Sequence, residues 1–132
     1  MKKSTRFVGL DDSKDFIQVA VADGSPGGEV RDWGVIASGP DALAKLVRRL
    51  GRAEDLHFAY EAGPCGYGTY RQLLALGAQC IVAAPSRTPR KPGDRIKNDQ
   101  RDAVALARLH RAGELTRVWV PDTATEAMRD LT

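Results

Sequence analysis

Three short apolar runs, each broken by turn-forming residues, open the chain and constrain its fold more than any other feature. Phe7, Val8, Gly9 and Leu10 lead into Asp11 and Asp12, and Phe16, Ile17, Gln18, Val19, Ala20, Val21 and Ala22 form a second run of similar character. Both have strand length rather than helix length. Asp23, Gly24, Ser25, Pro26, Gly27 and Gly28 are dense in turn formers, and Val30, Trp33, Val35 and Ile36 beyond them predict a third strand. The three segments together predict an antiparallel meander.

After Ile36 the period changes. Ser38, with Asp41 three residues later, resembles a capping box, and Leu43, Leu46, Val47 and Leu50 recur at helical spacing until Gly51. Residues 56–60 predict a fourth strand that ends at Glu61. The glycine-rich residues 62–68 lead into a second helix carrying Tyr67, Tyr70, Leu73 and Leu74 and closed by Gly77; residues 79–83 predict a fifth strand. Residues 85–97, rich in proline and basic side chains and without period, predict a loop. Asn98 is the expected N-cap of a third helix running to Gly113, with Val104, Ala105, Leu106, Ala107 and Leu109 as its apolar surface. Residues 118–121 read as a brief extended segment, and Thr123 with Glu126 as the capping pair of a further helix. The order of elements predicts an α/β domain built on a mixed five-stranded sheet flanked by helices. At 132 residues, 42% of them hydrophobic, the chain has room for one domain with its own core and not for two of ordinary size.

Composition narrows the function classes. Lys and Arg number 20 against 17 Asp and Glu, a modest excess whose distribution matters more than its sum. Cys65 and Cys80 show no CxxC spacing and no nearby paired histidines, which supports neither a disulfide framework nor a structural zinc site; a reducing cytoplasm is the simplest compartment. The basic residues at the start lead into too few apolar residues for a signal peptide, and no stretch approaches the ~20 apolar residues of a membrane helix, so no membrane partner is expected.

Four carboxylates fall at informative places. Asp11 ends the first strand, Glu61 ends the fourth, and Asp99 with Asp102 opens the third helix. Spaced three apart, Asp99 and Asp102 share a helix face that can turn toward the tips of two neighbouring strands. Magnesium prefers carboxylate oxygen, and four acids without histidine or thiol suit metal-assisted chemistry at phosphorus. Spacing alone leaves a second reading open: Asp11 ends a strand in a turn, and Asp99 and Asp102 occupy a first helical turn whose dipole favours negative charge.

Val8-Gly9-Leu10-Asp11-Asp12-Ser13-Lys14-Asp15, Tyr60-Glu61-Ala62-Gly63 and Lys97-Asn98-Asp99-Gln100-Arg101-Asp102-Ala103 resemble, in order and spacing, the amino-terminal domain of the DEDD transposases of insertion-sequence family one-ten. That domain is similar to Holliday-junction resolvases of the RuvC type, and the resemblance covers essentially the whole chain, including Pro85-Ser86-Arg87 and Pro92-Gly93-Asp94. It implies a ribonuclease-H-like (RuvC-like) fold for residues 1–121, with residues 122–132 starting a helical linker to a carboxy-terminal transposase domain that bears a serine nucleophile and is absent here. The family's metal-binding and catalytic acids fall on Asp11, Glu61, Asp99 and Asp102, with Mg2+ as cofactor and Mn2+ as substitute. Asp12 stands where the family more often has a small or apolar residue, so the resemblance assigns Asp11, whereas strand alternation alone does not choose between the two. The implied activity is DNA cleavage and strand exchange, guided in the full-length family by a structured bridge RNA and carried out by a homo-oligomer.

Arg87, Arg90, Lys91, Arg95, Lys97 and Arg101 concentrate positive charge beside the proposed site, against only Asp94 and Asp99 in the same stretch. A basic loop there would hold a nucleic-acid backbone without reading its sequence, although a solvated polar loop explains the composition too. Residues 62–68 match neither phosphate-binding fingerprint, and glycine in a tight strand-to-helix turn needs no ligand to explain it. Tyr67 and Tyr70 sit at core spacing, and isolated His57 and His110 are expected to be structural. Two other function classes compete. An actin-like sugar kinase or ATPase half-domain also opens with a strand and Gly-x-Asp, but here Asp12-Ser13-Lys14 replaces its phosphate-binding Gly-Thr; a nucleic-acid-binding module that kept the fold without chemistry is the other.

Overall fold

The predicted meander forms at the amino-terminal side of a computed structural model, which describes residues 5–13, 15–24, 27–63, 66–85 and 102–120. Strand β1 (Arg6–Asp12) pairs antiparallel with β2 (Phe16–Asp23), and β2 with β3 (Val30–Ala37). Helix α1 (Pro40–Leu50) and a single 3-10 turn at Ala53–Asp55 lead to β4 (Leu56–Glu61), which lies parallel to β1. Helix α2 (Gly68–Ala75) then returns the chain to β5 (Gln79–Ala83), parallel to β4, and α3 (Ala103–Ala112) follows. The strand order β3-β2-β1-β4-β5 makes β1 and β4 central neighbours in a mixed sheet, the α/β arrangement of a ribonuclease-H-like domain.

Alternation along the strands divides the residues between two faces. Val8 and Leu10, Ile17, Val19 and Val21, and Phe58 and Tyr60 pack with Leu43, Leu46, Val47 and Leu50 of α1 and Leu73 of α2. The opposite face is lined by small residues. Ala20 and Ala22 of β2 pack there against Ala103 and Ala107 of α3. Gly9 allows this close approach: a Cβ at that position would overlap the Ala103 carbonyl oxygen and lie 2.6 Å from the Ala107 nitrogen.

Three local expectations are corrected. Helix α1 starts at Pro40, with Gly39 as N-cap at φ 131° and no side-chain cap, so the Ser38–Asp41 box does not form. The Ser38 N–H instead donates to the Asp15 carbonyl at 3.1 Å, which holds Ser38 at the end of the sheet, and proline at the first helical position starts the helix with a fixed φ. Helix α3 is capped by Asp102 rather than by Asn98, which lies outside the described residues. The first strand continues through Asp11 and Asp12, which pair with Gln18 and Ile17. Further along, residues 116–118 run beside the outer edge of β5: the Ala84 N–H donates to the Thr116 carbonyl and the Val118 N–H to the Val82 carbonyl, both at 2.7 Å.

The sheet also carries an irregularity. Between Val19 and Ala20 the register on β3 skips Trp33, Gly34 adopts φ 97°, and its N–H donates to Asp32 Oδ1 at 2.9 Å. This bulge turns Trp33 against the α1 side of the core, where the Arg49 guanidinium lies 5.5 Å from the centre of its ring.

Candidate functional site

Strand alternation places Asp11 on the same face as Gly9, the face covered by α3. Asp12 faces the other way. The Thr69 hydroxyl in the first turn of α2 donates to Asp12 Oδ2 at 3.1 Å, tying that carboxylate to the α1–α2 side. The two adjacent acids, between which strand alternation alone does not choose, thereby face opposite sides of the sheet.

Asp102 reaches the Asp11 side from the helix. Its Oδ1 accepts the Ala105 N–H at 2.8 Å, an N-cap interaction worth ~1 kcal/mol that occupies one of its two carboxylate oxygens. The contact of α3 with Gly9 brings this cap toward the end of β1. Asp11 registers it: partial burial first, and then the negative charge of Asp102, hold its carboxyl above the usual carboxylate range. Asp12 is also raised, chiefly by burial, with the Thr69 hydrogen bond opposing and the Asp11 charge adding to it.

Glu61 ends β4. Alternation puts it with His57 and Ala59, opposite Phe58 and Tyr60, and so on the α3 face. The parallel register ends at the pair Gly9 and Ala59, and Asp11 and Glu61 each lie two residues beyond it on their own strands. Asp11, Glu61 and Asp102 thus belong to one face and one end of the sheet. No three His, Cys, Asp or Glu side chains among the described residues converge closely enough to enclose an ion. Asp99 lies outside the described residues, as do Arg87, Arg90, Lys91, Arg95, Lys97 and Arg101. Asp11 and Asp102 offer carboxylate oxygen, the donor type that a hard divalent cation prefers.

The tyrosine before the glycine-rich turn is structural. Tyr60 is buried, its hydroxyl donates to the Gly66 carbonyl at 2.9 Å and accepts the Tyr70 N–H at 3.3 Å, and burial pushes its pKa up. Cys80 is buried and its thiol is pushed up to about 12, which removes it as a nucleophile. His57 packs tilted against Phe7 and His110 meets it edge-on, ring centres 5.2 and 5.1 Å from it, and the two imidazoles are 6.3 Å apart. Burial, then the neighbouring His57, pushes His110 down to about 4. Sequence reasoning missed the role of Gly9, although a lone glycine inside an apolar strand signals close backbone approach, and it missed Thr69, for which no local pattern exists.

The sequence model of a family described as "Transposase", the DEDD transposases of the IS110 type, matches residues 8–132. A Sinorhizobium fredii protein named "Putative transposase y4qE" is 52% identical over 126 residues, covering 95% of this chain and 32% of its own length. A Leptospira borgpetersenii protein named "Transposase for insertion sequence element IS1533" is 37% identical over 126 residues, covering 94% of this chain and 36% of its own length. The chain spans about a third of the length of these curated relatives.

Proposed function

Because this chain belongs to the DEDD transposase family of the IS110 type, we propose that it is the metal-dependent catalytic domain of a DNA transposase, with Asp11, Glu61, Asp99 and Asp102 as its magnesium-binding acids. What supports the reading is the placement of Asp11 and Glu61 on the face that α3 covers, with Asp102 capping that helix; burial first and then the Asp102 charge raise the Asp11 carboxyl. Two carboxylates so placed repel in the absence of a cation, and a divalent ion offsets that repulsion. The chemistry that bound magnesium supplies at phosphorus is activation of an attacking oxygen and stabilisation of a leaving one, with manganese as a substitute.

The protein's own groups have separable tasks. Gly9 seats α3, Asp102 fixes the first turn of that helix through its cap, and Asp11 contributes its carboxylate from the central strand. Arg87, Arg90, Lys91, Arg95, Lys97 and Arg101 neutralise DNA phosphates. Residues 1–121 form the catalytic domain and residues 122–132 start a linker to a serine-bearing domain; in the longer protein a structured RNA guides the reaction, copies assemble as a homo-oligomer, and the work is done in the cytoplasm. Each of these is part of the proposal. The kinase alternative loses its basis with the family match.

Thermal unfolding with and without ligand tests the assignment. Magnesium or manganese should raise the melting temperature of the wild-type chain, ATP should not, and Asp11→Asn should abolish the metal effect. A wild-type chain indifferent to both ions would leave the non-catalytic binding module as the better reading.

A further inference from the structure

We propose that Phe16 is a stacking platform for an unpaired nucleobase, held immediately beside the acids of the candidate active site. Phe16 and Val35 are large apolar side chains that remain 58% and 60% exposed. They are diagonal neighbours across β2 and β3, since Phe16 pairs with Ala37 and Gln18 with Val35. Alternation sets Phe16 and Gln18 on the face of Ala20 and Ala22, and Gln18 is the direct partner of Asp11. An open groove of about 250 Å³ joins them, lined by Asp11, Ser13, Phe16, Gln18 and Val35. The aromatic shelf and the candidate metal-binding acid are two parts of one depression.

The Ser13 N–H and hydroxyl both donate to the Phe16 carbonyl, at 2.9 and 2.8 Å, tying the end of the groove at Ser13 to the start of β2. Across one strand spacing and two residues along β2, Phe16 stands roughly 8 Å from Asp11, from main chain to main chain. That separation suits one nucleotide, with its phosphate toward the acids and its base over the ring.

The chemistry of the groove selects this occupant. A base presents a flat apolar face to Phe16 and Val35 and a polar edge to Gln18, whose amide both donates and accepts. Paired bases keep their faces inside the helical stack, so the shelf takes a strand that is single or locally opened. This inference rests on the proposed function, because it places the nucleotide's phosphate at those acids.

Binding of a short single-stranded DNA carrying a fluorescent purine analogue, measured in magnesium, tests it. The wild-type chain should quench the analogue. Phe16→Ala should lose the quenching and on the order of tenfold in single-strand affinity, while keeping its duplex affinity and the rise in melting temperature with magnesium. Phe16→Trp should keep all four properties. Unchanged quenching and affinity in Phe16→Ala, or a wild-type chain that does not quench, would overturn the proposal. So would a Phe16→Ala chain that differs from wild type only in sedimentation, because a second copy would then be the occupant. A wild-type chain that quenches without any response to magnesium supports the shelf and counts against the metal assignment alone.

Discussion

Asp11 and Asp12 are consecutive in sequence yet address opposite faces of the sheet, Asp11 toward Asp102 at the start of α3 and Asp12 toward the Thr69 hydroxyl of α2. The pairing of β1 with β2 fixes this division through the register Asp11 to Gln18 and Asp12 to Ile17. Two substitutions that differ by one position should therefore have unlike effects.

Asp11→Asn removes one of two repelling carboxylates. In metal-free buffer its stability should equal that of the wild type or exceed it by up to about 1 kcal/mol, while the magnesium-dependent rise in melting temperature disappears. Asp12→Asn should retain that rise. A loss of metal response confined to Asp12→Asn would reverse the assignment.

Asp102 has two tasks that chemistry can separate. Asp102→Asn keeps an N-cap acceptor for the Ala105 N–H and should unfold at nearly the wild-type urea concentration, yet lose most of its response to magnesium. Asp102→Ala loses the cap as well and should cost about 1 kcal/mol in the same denaturation experiment. Equal stability of the two variants would show that the cap contributes nothing.

Gly9→Ala adds one methyl where the α3 backbone already fills the space. The cost should be about 1–3 kcal/mol by urea denaturation, from a shifted helix rather than from lost burial. Moving α3 also moves Asp102, so the metal response should weaken together with stability. Ala20→Gly, on the same face, should destabilise without that coupled loss.

The His57, His110 and Phe7 cluster predicts a pH dependence of stability. Both imidazoles have folded-state pKa values below the usual 6.5, His57 through burial and His110 through burial and then the charge of His57, down to about 4. A histidine depressed in the folded state binds fewer protons there than when unfolded, so its stabilising effect is complete above pH 6.5. It is lost progressively as pH falls toward about 4. After allowance for partial solvent exposure the loss should be on the order of 1–2 kcal/mol, and His110→Phe should flatten that part of the profile.

The sequence made the sheet and most of its helices readable because those signals are local. Runs with a period of two, glycine and proline between them and leucines at helical spacing each act within a few residues, which is why five strands and three helices could be anticipated in order. The start of α3 was not readable in that way. Asn98, Asp99 and Asp102 are all competent caps, and only the seating of Ala103 and Ala107 against Gly9 and the small residues of β2 selects Asp102. The choice between Asp11 and Asp12 likewise depends on which face α3 covers, a tertiary fact. For the acids themselves, their places at two strand ends and at the opening of a helix picked out the four, and the motif resemblance fell on the same set.

The bulge on β3 has a consequence for how copies of this domain meet. β3 is an outer strand, and such strands offer a ready template for another chain's backbone. Here the ladder skips at Trp33, the Gly34 amide is already engaged by the Asp32 side chain, and the strand is twisted out of a flat register. Concentrated protein is thus guarded at the bulge against edge-to-edge stacking on that side.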